Sequence, residues 1–218
     1  MQGRYVEAEL LYQDALLLRR ELLGDRHPYV ATSLNNLANL YCSQGRYEEA
    51  ENLKLKCLKI ERESLGDKHP QFVSSLNNLA GIYYLQGRYE EAEPLYIQAL
   101  ILTQELLGER HPDVATSINN LALLYYSQGR YEEAEPLYIQ ALSLRQELLG
   151  ERHPDVATSM NNLALLYNSQ ERHEEAEPLY IQDLSLRQEL LGDHHPDVAT
   201  SMNNLALLYY SQGRYEDA

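Results

Sequence analysis

The stretch "NNLALLYYSQGRYEEAEPLYIQAL" at residues 119–142 returns almost unchanged at 161–184 as "NNLALLYNSQERHEEAEPLYIQDL". The offset is 42 residues, and His-Pro dipeptides keep the same phase, beginning at residues 27, 69, 111, 153 and 195. Five units therefore fill residues 3–212, as 3–44, 45–86, 87–128, 129–170 and 171–212, and a partial unit follows at 213–218. Near-identical units in series are typical of solenoid proteins, in which each repeat packs only on its neighbours.

Each unit carries two helical patterns. In residues 112–127, Val114, Ile118 and Leu121 fall on one helical stripe, and Pro112 suits the first position of a helix. The second pattern covers residues 131–149, and Gly150 is placed to end it, because glycine readily adopts the left-handed conformation of a helix C-terminus. The sequence therefore predicts a repeating pair of antiparallel helices, a first helix like 112–127 and a second helix like 131–149, and each pair spans the boundary between two of the numbered units.

Composition excludes several classes of function. The 218-residue chain is 44% hydrophobic, which predicts a folded protein, and its formal net charge is −15. Nucleic acids and anionic membranes attract cationic surfaces, so neither is an expected partner. The two cysteines, Cys42 and Cys57, are too few for a disulfide framework. They are expected to be free thiols, which indicates a cytoplasmic protein.

A familiar pattern of small and aromatic residues lies inside the two helices of a unit. Leu121-Ala122 and Tyr125 are followed by Ala134 and Tyr138, and this frame resembles the tetratricopeptide repeat (TPR). The 42-residue length and the wording "HPDVA", "NNLA" and "YEEAEPLY" are similar to the TPR arrays of kinesin light chains and their bacterial relatives. The resemblance implies an all-α fold, a right-handed α-α superhelical solenoid of TPR helix pairs, as a single domain over residues 1–218. The kinesin light chain array binds short peptide segments of cargo adaptors.

In such arrays the first helix of each pair lines a concave groove, and here it carries paired asparagines. An amide both donates and accepts hydrogen bonds, so one pair per repeat could bind the backbone of an extended peptide. The alternative for the asparagines is that one of each pair bonds a neighbouring helix or its own preceding turn. The alternative for the tyrosines on the same helices is that they are partly buried against the next repeat. The predicted peptide-binding residues are Asn36, Asn77, Asn78, Tyr84, Asn119, Asn120, Tyr126, Asn161, Asn162 and Asn204.

The predicted groove positions contain no lysine or arginine. We therefore expect that the groove does not strongly select acidic peptides, and tight binding of such peptides in a screen would refute this expectation.

Catalytic and metal chemistry is not expected. The His-Pro histidines stand one repeat apart, too far to share a zinc ion, and each is expected to cap or pack at the start of a helix. The recurring Glu-Glu-x-Glu clusters lie in the first turns of helices, where carboxylates are favoured by the helix dipole. The sequence also contains no phosphate-binding loop, dinucleotide fingerprint or nucleophile elbow. We therefore predict no metal, no cofactor and no enzymatic activity.

The favoured function is a non-enzymatic scaffold that binds a protein or an extended peptide segment. One alternative is the sensor or regulatory repeat region of a larger signalling protein, and another is a self-assembling array. The helix expected at 4–23 and the helix expected at 196–211 would each expose an apolar face. These faces predict either a piece of a longer array or head-to-tail self-association through the terminal helices.

Overall fold

The computed structural model describes residues 2–214, with side chains from Arg4 onward, and over this range it contains ten α-helices and no strand. The helices are α1 (Gln2–Leu23), α2 (Pro28–Ser43), α3 (Tyr47–Leu65), α4 (Pro70–Leu85), α5 (Tyr89–Leu107), α6 (Pro112–Ser127), α7 (Tyr131–Leu149), α8 (Pro154–Ser169), α9 (His173–Leu191) and α10 (Pro196–Ser211). The bounds predicted for α6 and α7 are confirmed. The helix expected to begin in the partial unit 213–218 lies outside the described residues.

Histidines cap the first helix of every unit. His111 is extended, and its Nδ1 accepts a hydrogen bond of 3.1 Å from the backbone N–H of Asp113. Pro112, between them, has no N–H to leave unpaired at the first helical position. The capping role expected for these residues is confirmed, since the same contact recurs at His27, His69, His153 and His195.

The turn between the first and the second helix of each pair requires a left-handed backbone. Gly45, Gly87 and Gly129 have φ angles of 74°, 72° and 73°, a conformation that costs glycine little. In the last full unit Glu171 occupies this position with a φ of 61°, and it is the one residue other than glycine with a positive φ among residues 2–214. The turn at Glu171 thus has the same left-handed geometry as the others, although a glutamate replaces the glycine.

The chain divides into two compact parts, Met1–Leu106 and Leu107–Ala218. In the first part, α1 packs on α2, α2 on α3 and α3 on α4, around cores that include Leu34, Leu37 and Phe72. In the second part, α6 to α10 pack in succession, and α8 also contacts both α6 and α10. Helix pairs stacked in sequence order confirm the all-α solenoid class. A single domain over residues 1–218 stays a prediction.

An arginine after the turns at Gly45, Gly87 and Glu171 ties one unit to the preceding one. The Arg46 guanidinium lies 3.8 Å from the centre of the Tyr41 ring and donates hydrogen bonds to Glu49 at 2.6 Å and to Glu9 of α1 at 2.8 Å. The hydrogen bond from Arg46 lowers the pKa of both carboxyl groups. Part of the recurring glutamate cluster therefore serves ion pairing as well as the helix dipole, and equivalent contacts surround Arg88 and Arg172.

Candidate functional site

The first helices of successive units form one wall in the second part of the chain. α8 lies between α6 and α10 and contacts both, so the asparagine pairs of these three helices come together. Asn162 Nδ2 donates a hydrogen bond of 3.0 Å to Asn119 Oδ1, and Asn204 Nδ2 donates one of 2.8 Å to Asn161 Oδ1. We call these four residues the amide ladder. Bonding to a neighbouring helix, the alternative considered for the asparagines, is thus present.

The same hydrogen bonds leave part of each amide unused. An asparagine side chain has two N–H donors and an oxygen with two lone pairs. Asn162 uses one donor on Asn119, which is itself buried at 7% exposure. Asn162 is only half-buried, and its oxygen and second N–H have no partner among the described residues. The inter-helix bond therefore fixes the orientation of an amide that can still meet a ligand.

The predicted tyrosines are held by packing within the repeats. The Tyr126 ring lies 5.7 Å from the ring of Tyr131, across the turn between α6 and α7. Its hydroxyl shares a hydrogen bond of 2.9 Å with Ser169 Oγ of the next unit. Tyr84 lies 5.8 Å from Tyr89 in the equivalent place, and both predicted tyrosines are half-buried. Both tyrosines are therefore partly buried and keep some exposed surface, and a contact with the next repeat is shown for Tyr126.

In the first part of the chain the predicted residues have different surroundings. Asn36 and Asn77 are half-buried, and Asn78 is exposed. The Oδ1 atom of Asn77 is buried and has no hydrogen-bond partner among residues 2–214. No inter-helix amide bond like that of Asn119 and Asn162 is found between α2 and α4 in the described chain.

In the first part of the chain, a buried lysine of α3 bonds the asparagines of α2. Lys54 of α3 is fully buried, and its Nζ donates to Oδ1 of Asn35 and, at 2.7 Å, to Oδ1 of Asn39. Sequence reasoning missed this residue because it considered only the first helix of each pair. The sequence did contain a signal for it, because the equivalent positions of later repeats, 42 and 84 residues further on, are Tyr96 and Tyr138. A lysine at a position where other repeats have tyrosine is a departure from the repeat pattern.

The surroundings of Lys54 contain other buried titratable groups. Burial lowers the pKa of Lys54 and raises the pKa of the Glu61 carboxyl group. Burial also raises the pKa of the Cys57 thiol to about 12. Both cysteines are free thiols, as the sequence predicts. Removal from water disfavours the charged form of each group, so the thiols and the carboxyl group of this cluster favour their neutral states.

Two further features are absent from the described residues. No helix among them is both long and apolar enough to cross a bilayer. They also contain no cluster of three or more histidine, cysteine, aspartate or glutamate side chains arranged to hold a metal ion.

Comparisons with known proteins agree with the repeat geometry. The family model for the tetratricopeptide repeat matches residues 1–63, 71–147, 113–182 and 160–218. The crystal structure of BtubC (BKLC) from P. vanneervenii is similar with a TM-score of 0.79 and 28% identity, over 99% of this chain and 85% of that one. No curated protein matches the sequence.

A second similar structure also consists of repeats. It is a crystal structure of a Podosopora anserina putative kinesin light chain with nearly identical TPR-like repeats. The two chains are 27% identical with a TM-score of 0.73, over 87% of this chain and 90% of the other. Because the family model covers nearly all of the sequence, the chain belongs to the tetratricopeptide repeat family, and its fold is similar to that of kinesin light chain-like repeat proteins.

Proposed function

We propose that the chain is a non-enzymatic scaffold that binds an extended peptide segment of a partner protein along the asparagine-bearing face of its first helices. TPR proteins generally mediate protein–protein interactions. The observation that carries the proposal is the amide ladder, in which Asn162 bonds Asn119 and Asn204 bonds Asn161. These bonds hold one amide of each successive repeat in a fixed orientation before a ligand arrives, which lowers the entropy lost on binding.

The spacing of the amides suits a peptide backbone. Packed helices lie about 8–10 Å apart, and an extended chain rises about 3.3 Å per residue. Successive first helices would therefore present an amide pair to about every third residue of a bound strand. Amides can bond backbone N–H and C=O groups of any sequence, so the ladder supplies affinity, while side chains such as Tyr126 supply preference.

The electrostatics favour neutral or basic segments overall. The formal net charge is −15, and charges of one sign attract ligands of the other and suppress like-charged partners. We further propose a cytoplasmic location, which is supported by the free thiols Cys42 and Cys57.

A peptide-array screen tests the proposal. Extended peptides are expected to bind the wild-type protein. Asn120→Ala and Asn162→Ala are each expected to weaken binding about tenfold, because each removes a side-chain amide that bonds the peptide backbone. Asn52→Ala is the matched control, because Asn52 is an exposed asparagine of α3, a second helix. The proposal fails if no peptide binds, or if Asn52→Ala weakens binding as much as Asn162→Ala.

Self-association is a second candidate, favoured by exposed apolar side chains on α1 and α10. Leu11 is 69% exposed, whereas Leu53, at the equivalent position of α3, is half-buried. Met202 of α10 is 45% exposed, whereas the equivalent Met160 of α8 is 8% exposed. Large exposed apolar surfaces favour association. Light scattering across a concentration series tests this candidate, and a constant monomer mass at high concentration would rule it out.

A further inference from the structure

The lysines of this acidic chain are confined to one short segment. The formal net charge is −15, yet all four lysines lie within residues 54–68. Lys54 is buried, and Lys68 pairs with a glutamate of α5 at 2.9 Å. The other two, Lys56 and Lys59, are exposed on α3, so this second helix carries positive charge on its surface.

Arg62 extends this charge along the same helix. Lys56, Lys59 and Arg62 follow one another at intervals of three residues and therefore share one face of α3. All three are exposed. In the part of the chain that the structure describes, no carboxylate lies within ion-pair distance of any of them, although the Arg62 guanidinium lies 5.0 Å from the centre of the Phe72 ring. The three cations are thus available to charged groups of another molecule.

No other second helix among the described residues carries three such cations. The equivalent positions of α5, α7 and α9 are neutral: Gln98, Gln140 and Gln182 for Lys56; Ile101, Ser143 and Ser185 for Lys59; and Gln104, Gln146 and Gln188 for Arg62. In α1 the equivalents are Asp14, Leu17 and Arg20, and Arg20 pairs with Asp25 at 3.2 Å. The unpaired cationic face is therefore a departure from the repeat pattern that is confined to α3.

An apolar cleft lies beside these cations, between α3 and α5. Its volume is about 340 Å³, at the lower end of the range of about 300–1,000 Å³ for ligand pockets. The apolar side chains that line it are Leu55, Leu58, Phe72, Leu76, Leu79 and Leu95. Lys59 and Arg62 also line it, and none of the predicted peptide-binding residues does. The cleft is therefore a surface distinct from the asparagine-bearing face.

A second cleft, of about 250 Å³, lies between α1 and α3. Lys56 and Lys59 line it, and Lys59 thus stands between the two clefts. The acidic residues that line the clefts, Asp25 and Glu63, each pair with an arginine of the same surface. They therefore leave the charges of Lys56, Lys59 and Arg62 uncompensated. We call these three cations and the two clefts the α3 patch.

We propose that the α3 patch docks an acidic segment of a partner protein, with one large apolar side chain in the cleft between α3 and α5. Carboxylates on either side of that side chain pair with Lys56, Lys59 and Arg62, and a guanidinium can bond a carboxylate through two parallel hydrogen bonds. Apolar surface with a rim of polar residues is typical of protein interaction sites. Because the patch lies outside the asparagine-bearing face, this interaction goes beyond the proposed peptide binding.

The charge of the rest of the molecule decides the kind of ligand. The chain as a whole is strongly acidic, so an extended anionic surface, such as a membrane or a nucleic acid, is repelled where it meets the neighbouring repeats. A short acidic segment meets the patch alone. Charge complementarity steers such a ligand to one place and suppresses its binding elsewhere, so acidic segments are directed to α3 and away from the asparagine-bearing face.

Three sets of short peptides with capped ends test the proposal. The first set has glutamates on both sides of a central leucine. The second has glutamines in place of the glutamates, and the third keeps the glutamates but has alanine in place of the leucine. Binding of each set to the wild type and to three variants is measured by fluorescence anisotropy.

The patch variant is Lys56→Gln/Lys59→Ser/Arg62→Gln. It gives α3 the residues that α7 has at the equivalent positions, and all three replaced side chains are exposed. The variant is therefore expected to fold as the wild type does.

Two further variants are the controls. Lys68→Gln/Arg110→Gln/Arg152→Gln removes three cations from the connections between helices, where each pairs with a glutamate, and so has the same net charge as the patch variant. Asn162→Ala alters the asparagine-bearing face and leaves the patch unchanged.

The wild type is expected to bind the glutamate–leucine set about tenfold more tightly than the glutamine set, a gain that three exposed ion pairs together can supply. It is also expected to bind that set about tenfold more tightly than the alanine set, because a leucine side chain is buried in the cleft. The patch variant is expected to lose the preference for glutamate, and both control variants are expected to retain it.

Equal binding of the glutamate–leucine and glutamine sets by the wild type, or a preference that survives in the patch variant, overturns the docking site. A preference lost equally in the charge-matched control or in Asn162→Ala also overturns it. Binding of phosphatidylserine vesicles, or dimer formation, that the patch variant loses while no peptide preference is seen assigns the patch to a membrane or to a second copy instead. None of these results affects peptide binding by the asparagine-bearing face, which the array screen tests separately.

Discussion

The hydrogen bond between Asn162 and Asn119 allows a quantitative prediction about stability. Asn119 is 7% exposed, and its side-chain oxygen accepts from Asn162 Nδ2 at 3.0 Å. In Asn162→Ala that buried oxygen has no donor, which costs about 1–3 kcal/mol. In Asn119→Ala the remaining Asn162 amide is half-buried and can bond water, so the loss is smaller, about 1 kcal/mol. Each replacement also gains up to about 0.7 kcal/mol of helix propensity.

A double-mutant cycle separates the pairwise contribution from the propensity gain. Urea unfolding of the wild type, Asn119→Ala, Asn162→Ala and the double variant, followed by circular dichroism, gives the coupling free energy. We expect about 1 kcal/mol of coupling, with Asn162→Ala the more destabilising single change. A coupling below about 0.3 kcal/mol, the usual error of additivity for independent sites, would refute the reasoning that the ladder is an energetic link between repeats.

Three further predictions concern residues at which one unit departs from the others. Lys54→Met should stabilise the protein by about 1 kcal/mol at pH 7, since it removes a buried charge. Burial lowers the pKa of Lys54 in the folded protein below its ordinary 10.5, so the stability of the wild type rises with pH between the folded and the unfolded pKa of this lysine. Urea unfolding should therefore show that Lys54→Met stabilises the protein less at pH 10 than at pH 7. An equal stabilisation at both values would contradict the burial of a charged Lys54. Glu171→Gly should raise stability by about 1 kcal/mol by relieving the left-handed backbone, and a melting temperature that fails to rise would argue against strain. Cys57, fully buried with a pKa of about 12, should resist a thiol reagent at pH 8 until the protein unfolds, and labelling of Cys57 as fast as Cys42 would contradict its burial.

Much of the fold could be predicted from the sequence because its signals are local. The bounds of α6 follow from Pro112 at its start and from Gly129 just beyond its end, and the end of α7 follows from Gly150. The capping role of His111 follows from its place before Pro112. Repetition strengthens each signal, since the same local pattern stands in every unit.

The inter-helix contacts could not be predicted in the same way. That Asn162 bonds Asn119 depends on the offset between α6 and α8, which a helical period does not specify. The contact of Arg46 with Glu9 joins residues 37 positions apart, and local reading attributed such glutamates to the helix dipole alone. Lys54 was missed because its nitrogen reaches the first helix from the second.

The candidate site was predicted in part. The asparagines were located correctly on the first helices, but their bonding to one another was weighed only as an alternative to ligand contact. The structure shows that one amide can do the first and still have groups available for the second, as at Asn162. Ligand contact by any of these residues stays a prediction.

Binding of an extended peptide by the asparagine-bearing first helices is tested most directly by the ¹H–¹⁵N spectrum of the side-chain amides, recorded with and without a peptide selected from the array. We predict shifts at Asn120, Asn162 and Asn204 on the first helices and none at Asn52 on α3. Shifts confined to the second helices, or an unchanged set of asparagine signals at saturating peptide, would contradict this prediction.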